Sequence, residues 1–129
     1  AEAIPALVQL IPSLLAAARD CPCPLLPGAS SASEVMTLLD HGHDRQKFFP
    51  AEPAGGIPFL KSLGSPLPDA KFCPTGGIGI GNAKSYLELE NVLCVGGSWV
   101  APPALVRDGG WERITGLARD AKALARRGA

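Results

Sequence analysis

One unit repeats along this chain: a short apolar run closed by Pro or Gly, a polar turn, and an amphipathic helical stretch. The runs begin near residues 24, 46, 70 and 92, a period of a little over twenty residues. Parallel strands need a crossover long enough to hold a helix, and this period provides one. Alternation of strand and helix with short connections therefore means βα units and a parallel sheet. The near-continuous apolar run at 92–95 fits a strand covered on both faces.

Within each unit the boundaries carry their own signals. The first strand is expected over Pro24-Leu-Leu-Pro-Gly28, and Ser31 or Ser33 is placed to cap the helix after it. Glu34 stands at capping-box spacing from Ser31, Val35, Met36, Leu38 and Leu39 form an apolar face, and Gly42 ends the pattern. The second unit is a strand at 46–50 and a helix through Ile57, Phe59, Leu60 and Leu63, stopped at Gly64. The third is a strand at 70–75 and a helix at 82–90; the fourth is a strand at 92–95 and a helix at 111–126. A further helix at 12–20 precedes them all.

Two architectures accept such units, an open doubly wound sheet and a (β/α)8 barrel. The unusual residues, at 47–52, 75–77 and 96–98, fall at the ends of strands and in the loops that follow. A barrel places its active residues there. The expected fold is α/β, a parallel (β/α)8 TIM barrel. A whole barrel takes about 250 residues. Residues 1–129 are therefore expected to form about its C-terminal half, four to five βα units of a single domain without the N-terminal strands.

Composition narrows the function. Twelve Lys+Arg balance twelve Asp+Glu, so the basic surplus that drives binding to nucleic acid or an anionic membrane is missing. The longest apolar stretch, at 4–18, is interrupted by Pro5, Gln9, Pro12 and Ser13 and cannot span a bilayer. Cys73 and Cys94 lie in apolar runs, where a free thiol acts as a small buried hydrophobe. Cys21-Pro-Cys23 lacks the spacing of a zinc or redox pair. Reduced thiols, with no cationic leader visible at the start of the chain, give the expectation of a cytoplasmic protein.

Lys47 is the most informative residue. A lysine inside the apolar run Lys-Phe-Phe-Pro is costly unless its ammonium is paired or neutralised. Strand alternation puts Lys47 and Phe49 on one face and Phe48 on the other. A desolvated lysine amine is a nucleophile for carbonyl carbon; a strand-edge lysine reaching to solvent is the alternative. Thr75-Gly-Gly77 and Gly96-Gly-Ser98 end consecutive strands, where bare backbone N–H groups suit a phosphate; each also reads as a tight turn. Gly77-Ile-Gly-Ile-Gly81 has the wrong spacing for a dinucleotide fingerprint, and His41 and His43 lie in a polar loop without a matched third metal ligand. Glu52 and Asp69 flank strands, where Glu52 serves either the site or a helix start.

Three segments carry a resemblance. Lys47-Phe-Phe-Pro-Ala-Glu52, Phe72-Cys-Pro-Thr-Gly-Gly-Ile78 and Asn91-Val-Leu-Cys-Val-Gly-Gly-Ser-Trp99, in this order and spacing, resemble the 2-keto-3-deoxy-6-phosphogluconate (KDPG) and 4-hydroxy-2-oxoglutarate (KHG) aldolases. The likeness runs from about Pro12 to the C-terminus; Ala6-Leu-Val-Gln9 departs from the Ser-Pro-Gly strand end the family has before it. The resemblance implies a class I aldolase of the Entner–Doudoroff pathway, a homotrimer working without metal or other cofactor. Lys47 would be the Schiff-base lysine, Phe49 and Thr75 would contact the keto-acid substrate, and Gly76, Gly77 and Ser98 would bind its phosphate. The family's catalytic Glu and an Arg near the substrate come from early strands with no counterpart here, which leaves Glu52 as the local carboxylate. Two other functions use the same turns: a sugar-phosphate isomerase or epimerase that does not need Lys47, and a non-catalytic phosphate-binding fragment.

Overall fold

The computed structural model describes residues 12–20, 22 and 24–124. Expectations about Cys21, Cys23 and the segment before Pro12 lie outside these residues. The elements follow the repeat: α1 (Pro12–Ala18), β1 (Gly28–Ala29), α2 (Ala32–Asp40), β2 (Arg45–Phe48), α3 (Gly56–Leu63), β3 (Lys71–Pro74) and α4 (Ala83–Leu87). A 3-10 turn (Ser98–Val100), α5 (Pro103–Arg107) and α6 (Trp111–Ala123) complete the chain. Among the described residues, no helix is long and apolar enough to cross a membrane.

The three strands lie parallel in the order β1-β2-β3. Gly28 pairs with Lys47, and Lys47 pairs in turn with Cys73. The fourth apolar run differs from expectation: residues 92–96 touch β3 only through isolated bridges, Phe72 to Val92 and Thr75 to Gly96. Between these bridges the register slips by one residue. Pro74 sits at the slip and has no N–H to give a neighbour, so the ladder breaks there and Gly96 N donates to the Pro74 carbonyl at 2.9 Å.

Burial alternates along β2 and β3. Gln46, Phe48, Phe72 and Pro74 are buried, whereas Lys47 and Cys73 are half-buried on the opposite face. Val35 and Leu38 of α2, Leu60 and Leu63 of α3, and Tyr86 of α4 join Phe48 and Phe72 in one core cluster. The Phe48 ring stacks on Phe59 at 5.6 Å between centroids and meets Phe72 edge-on at 6.2 Å. Buried Gln46 is held by donating from Nε2 to the carbonyls of His43 (2.9 Å) and Val35 (3.1 Å).

The start of α2 has the capping box read from the sequence. The Ser31 hydroxyl accepts from Glu34 N, and the Glu34 carboxylate accepts from Ser30 and Ser31. Burial raises the Glu34 pKa, but the bonds from Ser30 and Ser31 outweigh it and hold the carboxyl below its usual 4.5. A depressed pKa contributes stability above the unfolded value and loses it as pH falls through the folded one. Ser31→Ala is expected to cost about 1 kcal/mol. Glu34→Gln is expected to lose stability at neutral pH and to approach the parent as acid protonates Glu34, as urea titrations stepped downward from pH 7 would read.

Candidate active site

β2 presents Lys47 on the sheet face opposite Phe48, and its Nζ lies 5.2 Å from the centroid of the Phe49 ring, as strand alternation required. The Phe49 ring in turn lies against Gly76: a Cβ on that glycine would stand 3.2 Å from two ring carbons. Lysine, aromatic ring and first turn glycine thus touch in sequence.

Backbone bonds fix that turn beside the end of β2. Ala51 N donates to Thr75 O at 2.8 Å and Glu52 N to Gly76 O at 3.1 Å, while Thr75 N donates to Phe48 O at 2.9 Å. Gly76 and Gly77 adopt φ +99° and +78°, a left-handed backbone that favours glycine. Among the described residues, no backbone carbonyl or side chain accepts the N–H of Gly77 or Ile78. The second turn stands directly beside the first, since a Cβ on Gly96 would be 2.5 Å from Thr75 Oγ1. Ser98 opens the 3-10 turn and is exposed. All six candidate residues therefore come from the C-terminal ends of strands or the turns after them.

A bulky residue at Gly77 would not merely block the backbone: its Cβ would stand 2.6 Å from Glu52 Cγ and 2.7 Å from Glu52 Cβ. Glu52 itself reaches α4. Its Oε1 accepts the Tyr86 hydroxyl, so the local carboxylate is engaged by α4.

The thiols correct the expectation of buried hydrophobes. Cys73, paired with Lys47 on the face opposite Phe48, is half-buried, and Cys94, in the run that only bridges β3, is exposed. The neighbouring Cys94 thiol, and after it Thr75 and the Lys47 cation, outweigh the opposing effect of burial and together bring the Cys73 pKa down to about 7. The same pairing, with burial, pushes Cys94 well above the usual thiol range. Apolar run chemistry hid Cys73; only the register opposite Lys47 reveals it. The His41 ring bonds the Thr37 carbonyl at 2.8 Å and so finishes α2. Asn82 bridges Gly77 O and Gly79 N, which makes the Gly77–Gly81 run a loop tied to the start of α4. A cleft of about 710 Å³ lies elsewhere, between α3 and α4 around Lys61, Lys71 and Asn91.

Fold and site together define a parallel α/β protein with a lysine and two glycine turns gathered at one end of its strands. The chain belongs to the KDPG and KHG aldolase family, whose model matches residues 6–117. It is 49% identical over 108 residues to the 2-dehydro-3-deoxy-phosphogluconate aldolase of Pseudomonas aeruginosa, a match covering 84% of this chain and 49% of that protein. It is 47% identical over 108 residues to the KHG/KDPG aldolase of Escherichia coli, covering 84% of this chain and 51% of that one. The crystal structure of KDPG aldolase from Legionella pneumophila, with pyruvate captured as a covalent carbinolamine, superposes with TM-score 0.86 at 43% identity. That superposition covers 94% of this chain and 57% of the crystallised one. The chain thus spans about half the length of the curated relatives it matches.

Proposed function

We propose that this chain is the C-terminal part of a (β/α)8 barrel and carries the Schiff-base half of a class I aldolase active site. The observation that carries the reading is the placement of Lys47: half-buried on the sheet face opposite Phe48, over Phe49, and linked through it to the Thr75–Gly77 turn. A doubly wound sheet takes helices on both faces. Here the buried residues of α2, α3 and α4 form one cluster with Phe48 and Phe72, whereas Lys47 and Cys73 on the other face are only half-buried, which favours a barrel interior.

The neutral Lys47 amine attacks the substrate ketone, and loss of water gives an iminium. Its cationic nitrogen takes up the electron pair when the carbon–carbon bond of KDPG breaks. Glyceraldehyde 3-phosphate leaves, and the remaining enamine is protonated and hydrolysed to pyruvate, which frees the lysine. KHG is a second substrate for the same chemistry. Thr75 and Phe49 flank the keto acid, and Gly76, Gly77 and Ser98 receive the phosphate through backbone N–H groups and the exposed hydroxyl. Proton transfer needs a carboxylate beside the amine. Glu52 is engaged with Tyr86, so the base comes from the strands that close the barrel. The complete enzyme is a cytoplasmic homotrimer.

The full-length protein containing this chain is expected to release pyruvate and glyceraldehyde 3-phosphate from KDPG, followed by coupled lactate dehydrogenase assay. Isomerisation of a sugar phosphate without pyruvate release would replace this reading with the isomerase one; phosphate binding without turnover would support a non-catalytic role.

A further inference from the structure

Tyr86 is fully buried, and its hydroxyl donates to Glu52, 34 residues earlier in the chain. The chemistry at Lys47 makes no use of this bond. Its surroundings do connect to the glycine turn. The stem of Glu52 fills the space beneath Gly77, within 2.7 Å of where a Cβ would stand. Its backbone N–H holds the Gly76 carbonyl at 3.1 Å. Asn82, the residue before α4, donates from Nδ2 to the Gly77 carbonyl at 3.1 Å and accepts from Gly79 N at 2.9 Å. Since α4 also carries Tyr86, this helix holds the turn at two points: directly through Asn82 and indirectly through Tyr86 and Glu52.

We propose that Tyr86 and Glu52 are a positioning pair: they hold the Gly76–Gly77 turn in its left-handed form and so set affinity for the phosphate end of the substrate without touching it. The inference rests on the reading of that turn as the phosphate site. Two consecutive residues at positive φ have little intrinsic reason to stay there, because glycine visits many other conformations. Preorganised N–H groups bind an anion better than ones that must be ordered on binding. The Tyr86 hydroxyl supplies the order by fixing a carboxylate that would otherwise turn out to water. Burial, together with the Glu52 bond, raises the Tyr86 pKa, so the hydroxyl keeps its proton and remains the donor across the neutral range.

The test uses the full-length enzyme, with KDPG and the same keto acid lacking its phosphate as substrates. Tyr86→Phe and Glu52→Leu are expected to raise KM for KDPG about 10-fold, with kcat and the KM for the unphosphorylated acid within about two-fold of the parent. Glu52→Gln keeps an oxygen that accepts the hydroxyl and should restore KM for KDPG to within about two-fold. Unchanged KM in Tyr86→Phe, or equal losses on both substrates, would overturn the proposal; equal losses would mean that the pair supports the fold alone. If the parent enzyme itself showed no preference for the phosphorylated acid, the phosphate-site reading would fall first and this inference with it.

Discussion

Lys47→Arg in the full-length enzyme is expected to lower kcat for KDPG cleavage by at least about 10⁴-fold, the scale on which loss of a covalent nucleophile is felt. A guanidinium stays protonated and offers no lone pair for imine formation. It nevertheless keeps a cation above the Phe49 ring, now 5.2 Å from the lysine nitrogen, so the local packing survives. Steady-state kinetics and a thermal melt read the two effects separately. Activity should vanish while Tm moves by only a few degrees. A kcat within ten-fold of the parent would show that the lysine is a binding cation and not the nucleophile.

The opposite face of the same strand should answer in the opposite way. Phe48→Ala is expected to destabilise the protein by about 3–5 kcal/mol, because it removes a fully buried ring and leaves a cavity. That ring stacks on Phe59 and abuts Phe72, joining α3 to β3, so its loss loosens two elements together. Phe49→Ala, one residue on and half-buried, should cost about half as much stability or less and act mainly on KM. Denaturant titration of the two variants side by side would measure the difference. Similar losses for both would mean that the strand is equally buried on both faces, contrary to the half-buried position of Lys47.

These two predictions were already implicit in Lys-Phe-Phe-Pro, since strand alternation is a local property. The Ser31–Glu34 capping box is local too, and it formed at the spacing read from the sequence. The register of the fourth apolar run was not legible, because it depends on Pro74 in the neighbouring strand and not on residues 92–95 themselves. Nor did hydrophobic period reveal the 3-10 turn at Ser98–Val100 or α5, both too short to show one; Pro103 at the first helical position of α5 was the available signal. In the candidate site, Lys47, Phe49, Thr75, Gly76 and Gly77 come together as a connected group. Cys73 entered through strand register and Glu52–Tyr86 through a contact across 34 residues, and neither kind of proximity is written in a linear pattern.

The identity of the amine that becomes covalent decides the chemistry of this site. Borohydride reduction of the full-length enzyme in the presence of pyruvate, followed by protease digestion and mass spectrometry, reads this directly, because reduction converts the imine to a stable secondary amine. The adduct is expected on Lys47 and to disappear in Lys47→Arg. An adduct on Lys61, Lys71 or Lys84, or no adduct in an enzyme that still cleaves KDPG, would contradict it.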